Sequence, residues 1–205
     1  MSGLAHGSEL DAFMPLPDVR ERFETMVGAP PELVLDVAVE FDLQSLAAVR
    51  ALIRTRAIIL RAPKAEPRRA RGLLAETLGL GWGLLVEEPG RFVVCGAACR
   101  PWEGDPGFEP IPPDRFAEWS QPCREKIAWS LEAQPLAPTR TRFAHEVRAV
   151  ATDEEGRRRF RRYWRWARFG IIGIRLLLLP AIRREAERRW STSGAGGRDV
   201  SLPGA

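Results

Sequence analysis

Residues 141–168 read TRFAHEVRAVATDEEGRRRFRRYWRWAR, and the period of their apolar positions changes midway. Up to Val150 the pattern alternates, with Phe143, His145, Val147 and Ala149 on one face and Glu146 on the other. Alternation at period two marks a strand with one buried face. Thr152-Asp153-Glu154-Glu155 then has the form of a capping box, in which the cap threonine and the glutamate three residues on satisfy two orphan amides. Beyond it Phe160, Trp164, Ala167, Ile171, Ile174 and Leu178 recur every three or four residues, the stripe of a long amphipathic helix. Gly170, Gly173 and Pro180 predict a bend in that helix.

Working outward, Arg124–Ala133 is a second long strand, with Ile127, Trp129, Leu131 and Ala133 in phase. Trp82–Glu87 and Arg91–Arg100 flank Glu88-Pro89-Gly90, which suits a hairpin turn. Near the start, Val19, Glu21, Phe23, Thr25 and Val27 share a strand face. Gly28-Ala29-Pro30-Pro31 ends that strand, and two short helices are expected at Glu32–Leu43 and Leu46–Arg56, the second capped by Ser45. Arg61–Arg71 reads as a basic loop and Leu73–Leu80 as a short helix.

With 45% hydrophobic and 28% charged residues, 205 residues can bury one sizeable core. The expected organisation is one domain over 18–190 between flexible tails, 1–17 and 191–205. Twenty-nine of the 31 basic residues are arginine, yet the net charge is only +4, too mild to demand a nucleic-acid partner. Neither a signal peptide nor a run of about 20 apolar residues is visible. Cys95, Cys99 and Cys123 read as reduced thiols, so a cytoplasmic setting is expected.

The order strand, two helices, antiparallel strands and one long C-terminal helix resembles the helix-grip fold of the SRPBCC superfamily, which includes START-like lipid carriers and polyketide cyclase/dehydrase-like proteins. The segments that carry the resemblance are Val19–Val27 running into Ala29-Pro30-Pro31-Glu32, the strands around Trp129 and Thr141–Arg148, and Thr152–Glu155 leading into Arg158–Trp164. The Arg61–Leu80 region departs from the family pattern, showing loop and helix where a strand is expected. The resemblance implies an α+β fold with a curved antiparallel sheet around the C-terminal helix. It further implies a cavity between them for an apolar small molecule such as a lipid or polyketide, and in a few members cyclisation or hydrolysis.

The candidate ligand-binding residues are Trp129, Phe143, His145, Trp164 and Arg175. His145 is the one histidine of the 18–190 region and lies in apolar strand phase; as a catalyst it would need a partner, and Ser130 and Glu146 fall in the opposite phase. Arg175 interrupts Ile171–Leu179, so its charge must reach solvent, an acid or a ligand anion. No catalytic, cofactor or metal site is assigned. The three cysteines and His145 are the residue types of a zinc site, but Cys95 and Cys99 stand about 13 Å apart along a strand. Gly79-Leu80-Gly81-Trp82-Gly83 precedes a strand instead of following one, which argues against a dinucleotide fingerprint.

Residues 153–190 hold 12 arginines against five acids. Three uses fit this: a helix docked on an acidic body, an anionic membrane surface, or, least favoured, nucleic acid. The helix is apolar nearly all round near Leu176–Leu179, so a homodimer partner, the second helix or a membrane is expected to cover it. Trp166 falls about 120° from the core stripe and is expected to lie under the N-terminal segment or the Leu46–Arg56 helix.

Overall fold

A computed structural model describes residues 8–62 and 72–193. The elements in order are β1 (Val19–Val27), α1 (Pro31–Glu40), α2 (Ala47–Ile59), α3 (Leu73–Gly79), β2 (Gly83–Glu88), β3 (Phe92–Cys99), the two-residue β4 (Glu109–Pro110), β5 (Glu125–Ala137), β6 (Arg140–Ala151) and α4 (Glu154–Thr192). The strands form one antiparallel sheet in the order β1-β6-β5-β3-β2, with β4 on β3. β1 and β2 are its edges, so the sheet is open. This is the expected α+β helix-grip arrangement, with α4 across one face.

The register sets which residues share that face. Trp129, Leu131 and Ala133 of β5 stand opposite Val147, His145 and Phe143 of β6. Glu21, Phe23 and Thr25 of β1 stand opposite the same three β6 residues from the other side. α4 crosses this surface. Its first half packs Phe160, Tyr163 and Ala167 with Val19, Ile127 and Ala149. Its second half packs Leu178, Leu179, Ile182 and Ala186 with α1 and with Val27, Ala133 and Phe143. Pro31 opens α1, where the missing amide costs nothing, and Val34, Leu35, Val37 and Ala38 turn to the same core.

Several boundaries differ from the sequence expectation. Asp153, not Thr152, caps α4 by accepting from the Gly156 amide at 2.7 Å. Thr152 instead ties β5 to β6, its hydroxyl bonding Arg124. α4 runs as one helix through Gly170, Gly173 and Pro180 to Thr192. The second helix starts at Ala47 and extends to Ile59, with Ser45 in a preceding 3-10 turn and no side-chain cap. Most of the Arg61–Arg71 stretch lies outside the described residues, as does the C-terminal tail beyond residue 193.

The N-terminal tail is the larger correction. Ser8 caps a 3-10 turn, Glu9–Ala12, and Leu10 and Met14 are buried with Phe116, Ile111 and Phe92 on the face of the sheet away from α4. Gly96 makes room there: a Cβ on it would fall 2.5 Å from the Phe116 ring. A tail reading assumed that scattered Gly, Ser and Pro leave nothing to bury, but two apolar side chains with a sheet face beneath them suffice.

Candidate functional site between the sheet and the long helix

Trp129, Phe143, His145 and Arg175 all come to the face under α4 and all are buried. The Trp129 and His145 rings meet edge to face at 6.1 Å. Trp164 belongs to the neighbouring cluster, half-buried and stacked on Phe160 at 5.5 Å. Arg175 finds its counter-charge inside the chain: its guanidinium bonds the Glu21 carboxylate and lies 5.9 Å from the Phe23 ring centroid. Burial pulls the Arg175 pKa below its ordinary value, and the Glu21 carboxylate opposes that shift. Glu21 carried a legible signal, an acid in the apolar phase of β1 facing an arginine inside an apolar helix segment.

His145 is held as a neutral ring. Its Nδ1 lies 2.8 Å from the Ser130 carbonyl oxygen, which can only accept, so Nδ1 carries the proton. Burial pushes its pKa down to about 4, and the nearby Arg175 charge pushes the same way. Nε2 is thereby left as a hydrogen-bond acceptor, and it has no partner among the described residues. A neutral imidazole oriented by a carbonyl, with so low a pKa, is poorly suited to deliver a proton near pH 7. As a fixed acceptor it is well placed.

Several apolar residues of the inner face keep accessible surface. Val147 on β6 and Ile127 near the start of β5 face α4, yet both are only half-buried. So are Phe23 on β1 and Ile171 and Ile174 on α4. Around them Leu131, Phe143 and Ala149 are fully packed. A separate cleft of about 490 Å³ lies elsewhere, between the end of α1 and the last turns of α4, lined by Glu40, Phe41, Arg184 and Arg188 among others.

One more feature of the inner face was not legible in the sequence. Glu125 is fully buried with neither oxygen hydrogen-bonded among the described residues. Burial lifts its pKa to about 9, Asp18 adding to the rise and Arg157 opposing it, so the carboxyl is protonated at neutral pH. Cys99 stands opposite it on β3, and burial raises that thiol's pKa as well. Cys95 is likewise buried, its thiol pushed up to about 12 by burial. These are inert thiols, since the thiolate is the reactive form. Gly79 ends α3, Gly81 turns with φ +96° and Gly83 opens β2, a helix-to-strand corner.

The far face of the sheet carries a different polar cluster. Glu146 and Arg148, both fully buried, bond each other at 2.7 Å. Arg20 and Arg22 reach Glu146, and Arg22 also reaches Glu132. Arg148 donates to the Met14 carbonyl at 2.7 Å and sits 2.6 Å from Asp11 as an ion contact without hydrogen-bond alignment. Burial works to raise the Glu146 pKa, but the bonds from Arg148 and Arg22 prevail and hold it below the ordinary value.

Comparison with known proteins adds little to this geometry. No family model matches the chain and no curated protein matches it. Among solved structures, TTHA0849 from Thermus thermophilus aligns over 86% of this chain and 100% of its own, at 10% identity and a TM-score of 0.29. The ZhuI aromatase/cyclase from Streptomyces sp. R1128 aligns over 87% and 98%, at 15% identity and a TM-score of 0.26. Similarity that low carries no functional weight. Among the described residues, no helix is long and apolar enough to cross a membrane.

Proposed function

We propose that the chain binds an uncharged, largely apolar small molecule bearing a hydroxyl group, held between the central strands and α4 in the manner of the helix-grip carriers. The observation that carries this is the half-exposure of Val147, with Ile127, Phe23, Ile171 and Ile174, beside the packed Leu131, Phe143 and Ala149 of the inner face. A well-packed interior leaves few voids, so accessible apolar surface at that depth is room for a guest. Two polar groups give the guest its character. The free Nε2 of His145 accepts a hydrogen bond from the ligand hydroxyl. Arg175 is already neutralised by Glu21, which favours an uncharged ligand over the anion that an unpaired arginine would select.

Native mass spectrometry tests this on the purified chain, alone and with excess 2-naphthol. A non-covalent adduct is expected on the wild type and not on Val147→Trp, whose indole fills the space while leaving a cooperative melt. Equal adducts on both proteins, or none on the wild type at saturating 2-naphthol, would overturn the proposal.

A further inference from the structure

α4 has two populations of arginine. Arg157, Arg158 and Arg159 are spoken for by Asp18, Glu154 and Glu155. Arg161, Arg162 and Arg165 have no ion-pair partner among the described residues, and Arg168 meets only the ring of Phe169, at 4.8 Å. No acid occurs between Glu155 and Glu185, so the middle of the helix has nothing of its own to neutralise them.

The same stretch exposes apolar side chains. Phe169 is 67% exposed and Leu176 59%, with Leu177 and Trp166 near 40% and 38%. Trp166, beside the α2 contact at Gly170 and Gly173, is only partly covered; among the described residues its one ring neighbour is Tyr163 of the same helix. At 100° per residue, Arg162, Arg165, Phe169 and Leu176 fall in a sector about 60° wide, opposite the buried Phe160 and Leu178. α2 lies beside this part of α4. Leu52 packs near Gly170 and Gly173, and Ile53, Ile58 and Ile59 of α2 are exposed. α2 contains arginines but no acid.

We propose that this face, the outer side of α4 with α2 beside it, docks on an anionic lipid surface. Phe169 and Leu176 enter the headgroup region while Arg162 and Arg165 meet lipid phosphates. A helix lying in the interface plane needs this combination of an apolar stripe and long cationic side chains that reach back to the headgroups. A second copy of the chain is a poor occupant, because it would bring like charges together. Nucleic acid gives no use to exposed Ile58, Ile59, Leu176 and Leu177. None of these residues lines the inner space, so the docking face stands or falls separately from the small-molecule proposal.

The test is co-sedimentation of the full chain with phosphatidylcholine vesicles, with and without phosphatidylglycerol. Binding is expected only with the anionic lipid and should weaken as salt is added. Arg162→Gln with Arg165→Gln should weaken it about 25-fold, from about fivefold per arginine near the surface. The paired lysine variants should retain it. Phe169→Ser should weaken it about tenfold through lost apolar contact. All these positions are exposed, so unchanged melting curves confirm the fold. Equal binding to neutral vesicles, no binding, or insensitivity to the substitutions would overturn the proposal. So would a dimer in light scattering that Phe169→Ser dissolves, or retention of duplex DNA without retention of vesicles.

Discussion

The two faces of the central strands solve the same problem in opposite ways. On the far face, Glu146 and Arg148 are buried, but every charge has a partner and the N-terminal segment closes over them through Asp11 and Met14. On the inner face the polar groups are fewer and less satisfied: His145 has one free nitrogen and Glu125 has no partner among the described residues. A saturated network stabilises and specifies one arrangement, whereas unsatisfied polar groups beside open apolar space leave bonds for a guest to make.

The largest expected effect comes from breaking the saturated side. Arg148→Ala leaves Glu146 buried with less compensation and unties the Met14 carbonyl, so stability should fall by about 3–5 kcal/mol in urea denaturation. A loss below about 1 kcal/mol would mean that the far face is no more tightly held than the inner one.

Glu125→Gln should act in the opposite direction. The carboxyl is protonated in the folded chain up to about pH 9 but ionises near its ordinary value of 4.5 when unfolded. Between these values the folded state binds the extra proton, so this group makes stability fall as pH rises. Removing the titration should stabilise the protein by roughly 3 kcal/mol at pH 7 and by little at pH 4. Melting curves at both pH values distinguish this from a pH-independent packing gain.

His145 gives a somewhat smaller effect of contrary slope. Its folded pKa of about 4 lies below the unfolded 6.5, so the unfolded chain takes up the proton first as pH falls. Stability should drop by about 2 kcal/mol between pH 6.5 and 5, and His145→Phe should remove that part of the slope. An unchanged slope in the variant would place the imidazole in a more polar environment than its burial indicates.

The sequence carried the inner face better than the outer one. Strand phase alone put Trp129, Phe143 and His145 together, because a period of two allows only two faces. Trp164 lies toward the first half of α4, in the cluster that also holds Ile127 and Ile171; the stripe on α4 gave its side of the helix but not how far along the sheet it would land. The far-face network was illegible for a different reason. Arg20, Arg22, Glu146 and Arg148 have the pattern of a solvated strand face, and only the packing of Leu10 and Met14 over that side turns Glu146 and Arg148 into buried ions. Glu125 escaped notice because an acid at a strand start resembles an exposed end.

The most direct measurement compares calorimetric titrations of 2-naphthol and naphthalene into the wild type and into His145→Phe. If the space beneath α4 takes an apolar molecule and Nε2 accepts its hydroxyl, 2-naphthol should bind the wild type about two- to tenfold more tightly than naphthalene, the worth of one hydrogen bond. That preference should vanish in His145→Phe, with naphthalene binding retained. Equal affinities of the wild type for the two compounds, or no heat from either, would contradict the account.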